Sequence, residues 1–223
     1  MYPRGKNLKK VVEYLPHSNA QLRQDLFALE CANFKTEGFF VEFGAANGVD
    51  LSNSHLLEKH FGWSGILAEA GRNWHDALRS NRSCIIDTRC VWAESGMSIA
   101  FQESSAPALS GASEHKVLTP LRAGEKVVNT YDVPTVSLLD LLEEHKAPRT
   151  IDFLSVDTEG SELAILEAFD FSKYSFRAIA VEHNFSEIRP GLHALLSENG
   201  YTRVRESLSR WDDWYVPRKS LMK

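Results

Sequence analysis

Gly38-Phe39-Phe40-Val41-Glu42-Phe43-Gly44-Ala45-Ala46-Asn47-Gly48 is the stretch on which the fold turns. Its first half is aromatic and β-branched, the composition of a strand. Gly44 ends that strand, and the Gly44-x-x-x-Gly48 spacing makes a bend where the backbone can approach a ligand that a Cβ would exclude. A helix is expected next. Ser52 or Ser54 can cap it, Leu56, Leu57 and Phe61 supply its apolar stripe, and Gly62 stops it. Strand, glycine bend and helix in that order open a doubly wound α/β domain.

The alternation continues outward from this unit. Residues 65–69, 84–87, 151–157 and 178–182 read as further strands. Helices are expected after the Ser137 cap, after Gly160, and from Pro190 to the Gly200 stop. Residues 201–205 and 214–216 close the pattern as a hairpin. Upstream, residues 21–29 read as an amphipathic helix within a helical lead-in over residues 1–36. The expected fold is therefore α/β, with a central, mostly parallel seven-stranded sheet flanked by helices and ending in an antiparallel hairpin. Residues 102–133 break the rhythm. Ser104–Ser113 is small and polar without helix or strand periodicity, so a long loop is expected, either a lid or acceptor loop or a disordered segment.

Bulk properties narrow the function. At 223 residues, 43% hydrophobic and 25% charged, the chain suits one soluble domain with a substantial core. A net charge of −5 argues against a broad grip on nucleic acid. The basic start (Arg4, Lys6, Lys9, Lys10) is not followed by a signal-peptide core, because Glu13, His17 and Asn19 interrupt it. No apolar run is long enough for a membrane span. Cys31, Cys84 and Cys90 are too few and too irregular for a disulfide framework or a zinc site, so a reducing cytoplasm is expected.

Ligands of open α/β sheets sit beyond the carboxyl ends of the strands. Glu42, two residues before Gly44, stands where it can meet an α-amino group directly or through water, and where a pyrophosphate would be repelled. Glu69 ends the second strand, placed to accept both hydroxyls of a ribose. Two such acids around a glycine bend point to an adenosyl cofactor of the S-adenosylmethionine type. Asp87, Thr88 and Cys90 follow the third strand, where an adenine would lie. Asp87 could accept from its amino group, or could be a plain turn acid beside a buried thiol. At later strand tips stand Asp157 and Glu159, then Glu182 and His183. Asp157, Glu159 or His183 could serve as base for a hydroxyl acceptor. Asp157, Glu159 and Glu182 could instead hold Mg²⁺ through oxygen ligands. Glu162 reads as a helix N-terminal acid.

The motifs in residues 38–48, Ser52-Asn53, Leu57-Glu58-Lys59, Gly62-Trp63, Gly65-Ile66-Leu67, residues 151–160 and Val181-Glu182-His183-Asn184 resemble the FkbM family of methyltransferases over roughly residues 18–217. The resemblance implies a Rossmann-like class I methyltransferase in a single domain over residues 1–223, with S-adenosylmethionine as donor. It implies O-methylation of a small-molecule or glycan acceptor: a sugar, a glycan or a secondary metabolite. Carried onto this sequence, Gly44, Ala45, Asn47 and Gly48 form the cofactor loop. Glu69 and Ala70 form the ribose turn, and Asp157 with Glu159 the floor beside the methyl group. The family often has proline where Ala70 stands. Two rival readings are a cofactor-binding interaction module without catalysis and an NAD-dependent oxidoreductase. The missing G-x-G-x-x-G and the acid ahead of the bend oppose the latter.

Overall fold

The computed structural model describes residues 5–106, 110–112 and 126–222. In chain order the principal elements begin with α1 (Gly5–Tyr14), α2 (Gln24–Cys31), β1 (Phe39–Phe43), α3 (His55–Phe61), β2 (Ser64–Ala68), α4 (His75–Asn81) and β3 (Ile85–Asp87). There follow β4 (Cys90–Trp92), β5 (Ser98–Ser104), β6 (Gly111–Ala112), β7 (Val127–Ser137), α5 (Leu138–Glu144), β8 (Thr150–Ile151) and β9 (Phe153–Val156). The chain closes with α6 (Glu162–Glu167), β10 (Ser175–Phe176), β11 (Ile179–Glu182), α7 (Arg189–Glu198), β12 (Tyr201–Val204), α8 (Glu206–Ser209) and β13 (Asp212–Pro217).

Seven strands form the main sheet in the order β12-β13-β11-β9-β1-β2-β3. β3, β2, β1, β9 and β11 are mutually parallel, and β13 runs antiparallel to both β11 and β12. The order reverses between β2 and β9 on either side of β1, which opens a crevice at the β1 tip. Strand alternation explains the layers. Val41 and Phe43 face a core shared with Leu138, Leu141 and Leu142 of α5, Ile165 and Leu166 of α6, and Leu192 and Leu196 of α7. Phe40 faces the opposite core, with Leu26–Leu29 of α2, Leu56, Leu57 and Phe61 of α3, and Leu78 of α4. Glu42 shares the Phe40 side and so points at the start of α3.

Two expectations are revised. α2 is not amphipathic, because every residue from Gln24 to Leu29 is buried. The expected loop over residues 102–133 is strand at both ends. β5 and β7 pair antiparallel from Ser98↔Pro134 to Ser104↔Val127, and β4 and β6 complete a four-stranded sheet. Its small core of Ile99, Phe101, Ala112 and Val133 packs on Ala70, Cys90 and Trp92. Arg72 ties it to the main domain, with its guanidinium 4.2 Å from the Tyr131 ring and Nη2 donating to the Asp132 carbonyl at 2.8 Å. Residues 107–109 and 113–125 of the expected loop lie outside the described residues. No helix among the described residues is long and apolar enough to cross a membrane.

Candidate functional site

A cavity of about 860 Å³ opens at the strand tips, between the main sheet and the small sheet. That volume lies in the range of roughly 300–1,000 Å³ typical of small-molecule sites. Its floor is the bend after β1. Gly44 has φ +69°, and a Cβ there would stand 1.9 Å from the Asp157 carbonyl oxygen. Only glycine lets β1 and β9 end so close together. The bend is tied across to β2 by Gly44 N–H donating to the Ala68 carbonyl at 3.0 Å.

Glu42 reaches the cavity wall with its carboxylate already bonded. Oε1 accepts from the Asn53 N–H at 2.8 Å, and Oε2 accepts from the Ser52 hydroxyl at 3.2 Å and from the Ser54 hydroxyl. This is why Ser54, the residue before α3, does not cap the helix with its own side chain. The Ser52 hydroxyl accepts from the His55 N–H at 3.2 Å instead. Behind this network Arg82, whose side chain is fully buried, donates to Ser52 and Ser54, to the Gly48 carbonyl at 2.9 Å and to Glu58 at 2.7 Å.

Glu69 lies across the bend and lines the same cavity. Its oxygens accept from the Ala46 N–H at 2.7 Å and the Gly71 N–H at 2.6 Å. Burial pushes its pKa up to about 7, against the pull of those two amides. Beside it Ala70, Trp74, Cys90, Val91, Phe101 and Ala112 form an apolar slot that a flat ring could enter. Cys90 is buried and its thiol is pushed up to about 12 by burial, so it packs rather than reacts.

The third part is acidic. Side-chain oxygens of Asp157, Glu159 and Glu182 lie within 4.8 Å of one another, close enough to hold a cation. Burial and the Glu159 charge raise the Asp157 pKa well above the usual carboxylate range. Burial, then the charges of Asp157 and Glu159, push Glu182 up to about 12. Asp157 and Glu182 therefore titrate as a pair, both held above the usual carboxylate range. Glu162, at the first turn of α6, is consumed by the loop before it, accepting from the Thr158 and Gly160 N–H groups at 2.8 and 3.1 Å.

The structure thus brings Glu42, Gly44, Ala45, Asn47, Glu69, Ala70, Cys90, Asp157, Glu159 and Glu182 around one cavity. Asn47 shapes the bend, its side chain donating to Asp50 and accepting from the Val49 and Asp50 N–H groups. Gly48, Asp87, Thr88 and His183 are not in the lining. Gly48 is a packing glycine: a Cβ there would meet Leu78 at 2.6 Å and Arg82 at 2.7 Å. The Asp87 carboxylate is held by Arg89 at 2.6 Å and by His145 at 3.0 Å, so its oxygens are already engaged. His183 follows Glu182, and successive side chains of a strand point to opposite faces. Its ring is buried, with Nδ1 accepting from the Phe185 N–H at 2.9 Å and Nε2 3.7 Å from Asp213. Burial lowers its pKa, so the ring is neutral at pH 7.

Sequence reasoning did not single out Gln21, Gln24, Trp74, Phe101, Phe185 and Trp211, all of which line the cavity. Asn184 closes the Val181–Asn184 motif and also lines the cavity, and Phe185 follows it directly. Gln21 and Gln24 come from just before and at the start of α2, Trp74 from the turn before α4, Phe101 from the small sheet and Trp211 from the β11–β13 pairing, and none carries a local signal.

No curated protein matches the chain significantly. Among solved structures, it is similar to methyltransferase FkbM from Methylobacillus flagellatus KT, at 14% identity and TM-score 0.48, covering 93% of this chain and 60% of that one. It is also similar to precorrin-6y C5,15-methyltransferase from Geobacter metallireducens GS-15, at 10% identity and TM-score 0.45, covering 86% of this chain and 85% of that one. A ribosomal protein L11 methylase from Lactobacillus delbrueckii subsp. bulgaricus matches at 11% identity and TM-score 0.43, over 86% and 75% of the two chains. The family model of the methyltransferase FkbM domain matches residues 42–203, from the acid of the first strand to the closing hairpin, and the chain belongs to that family.

Proposed function

We propose that the protein is an S-adenosylmethionine-dependent O-methyltransferase acting on a hydroxyl of a sugar, glycan or secondary metabolite. The observation that carries this reading is the charge of the cavity. Glu42, Glu69, Asp157, Glu159 and Glu182 line it, with Arg89 the one Lys or Arg in the described lining. A pyrophosphate would be repelled there, whereas a ligand with sulfonium and ammonium charges relieves the crowding of the three clustered acids.

The residues fit such a donor. Glu69 keeps lone pairs beyond its two amide bonds with which to accept ribose hydroxyls. The slot from Ala70 to Ala112 suits an adenine ring. The Glu42–Ser52–Asn53 corner presents its outer oxygens to an amino acid tail. When bound, the donor supplies an electrophilic methyl group for in-line displacement. The protein's own work is to align the acceptor oxygen, keep water out, and take the hydroxyl proton. Asp157, a stronger base when ionised than a solvated carboxylate and hydrogen-bonded to Glu182, is the proposed proton acceptor. A divalent cation on Asp157, Glu159 and Glu182 is the second form of the same reading, favoured by the clustering of their oxygens.

The test is methyl transfer from labelled S-adenosylmethionine to a panel of sugars and glycosides. Asp157→Asn should keep binding of S-adenosylhomocysteine while turnover falls by roughly 10²–10⁴. Parallel loss of binding and turnover would instead make Asp157 a cofactor contact. Activity abolished by EDTA and restored by Mg²⁺ would favour the metal form, and indifference to EDTA would end it.

A further inference from the structure

The cavity has two ends, and the donor accounts for only one. The β2, β3 and small-sheet end carries Glu69 and the apolar slot. The other end lies over the tip of β11, where Asn184, Phe185 and Trp211 line the wall. These residues meet because β11 and β13 pair antiparallel with Glu182 opposite Asp212. The Trp211 carbonyl accepts from the N–H groups of His183 at 2.9 Å and Asn184 at 3.1 Å. Phe185 is 69% exposed, although such a ring is ordinarily buried. Asn184 (φ 44°), Phe185 (φ 57°) and Arg210 (φ 50°) all have left-handed backbones, a local strain that the surrounding bonds must hold in place.

Charge reverses at this rim. A second groove, of about 480 Å³, meets the cavity at Gln21 and Trp211 and is lined by Arg23, Arg205 and Arg210. Arg205 is paired with Glu30 at 2.5 Å, and Arg23 donates to the Ser18 carbonyl at 2.8 Å. Arg210 is exposed, and among the described residues it makes no hydrogen bond or ion pair. Its guanidinium stands 5.9 Å from the centre of the Trp211 ring. Inside is acid, outside is base, and Trp211 lines both.

Resting on the methyltransferase reading above, we infer that this rim is the acceptor subsite and that it selects a carbohydrate carrying an anionic group. The sugar's apolar face packs on Phe185 and Trp211, its anionic group meets Arg210, and its hydroxyl edge enters toward Asp157. The acidic interior rejects the opposite orientation, so the charge pattern selects the end of the acceptor that is methylated.

The probes are methyl glucuronide and methyl glucoside, which differ in a carboxylate against a hydroxymethyl group. They are titrated into the full chain saturated with S-adenosylhomocysteine. The glucuronide should bind about tenfold more tightly, the scale of one charge-assisted contact at an exposed site. Arg210→Gln should erase that preference, and Phe185→Ala should weaken both sugars alike. Both variants should bind S-adenosylhomocysteine as the wild type does. Equal affinity for the two sugars, a preference that survives Arg210→Gln, or binding of neither sugar by a protein that holds S-adenosylhomocysteine would overturn this inference and leave the methyltransferase reading intact. A wild-type protein that ignores S-adenosylhomocysteine would overturn both.

Discussion

Gly44 and Gly62 allow a matched experiment on the floor of the site. Both have left-handed backbones, with φ +69° and +64°, but a Cβ on Gly62 meets nothing within 4 Å. Gly62→Ala therefore bears only the conformational penalty, about 1 kcal/mol. In a domain of this length that lowers Tm by roughly 2–4 °C. Gly44→Ala bears the same penalty plus a collision. Its Cβ would lie 1.9 Å from the Asp157 carbonyl, where ordinary contact begins at 3.4 Å, so β1 and β9 must part by about 1.5 Å. Overpacking of that kind costs a further ~1–3 kcal/mol, bringing the expected fall in Tm to roughly 5–15 °C. A misplacement of about 1 Å at the Asp157 tip should also lower turnover by about 10². Thermal melts, S-adenosylhomocysteine titration and methyl-transfer rates on the two variants decide the matter. If Gly44→Ala melts with Gly62→Ala and keeps full affinity and turnover, the close approach of the two strand tips does not build the site.

Two further outcomes follow from buried charge. Arg82→Met should destabilise the protein by about 3–5 kcal/mol in chemical denaturation, because it strands Glu58 and the Ser52–Ser54 corner beneath Glu42; a loss under 1 kcal/mol would contradict that account. Burial raises Glu69 from 4.5 to about 7, and Asp25 and Asp212 from 3.8 to about 6. Between those limits these three carboxyls bind more protons in the folded state than in the unfolded one, so the stability they contribute falls as pH rises. The Tm of the ligand-free protein should drop from pH 5 to pH 8, and a steady rise over that window would refute the assignment.

Much of this molecule can be read from local pattern, and the exceptions have physical causes. β1, β2 and β11 announce themselves through apolar runs ended by Gly44, Glu69 and Glu182, since a buried parallel strand needs little beyond itself to be recognised. The small sheet does not. Its strands pair Ser98–Ser104 with Val127–Ser137 across a long, partly polar connection, and only Ile99, Phe101 and Val133 mark the inward face. Asp87 was legible as a strand-tip acid, but its capture by Arg89 and His145 depends on a residue 58 positions away. His183 shows the effect of parity: one step beyond Glu182 turns its ring into the protein. Trp211 enters the site only through the β11–β13 register, which sequence spacing cannot supply.

On the proposed reading, the acidic cavity holds a cationic nucleoside and excludes a dinucleotide. Calorimetric titration of S-adenosylhomocysteine and NAD⁺ into wild type and Glu69→Ala tests it most directly. Micromolar S-adenosylhomocysteine binding, no NAD⁺ binding, and a loss of about 5- to 150-fold in the variant, equivalent to about 1–3 kcal/mol, are expected. Tighter binding of NAD⁺ than of S-adenosylhomocysteine, or a Glu69→Ala protein that binds as the wild type does, would contradict it.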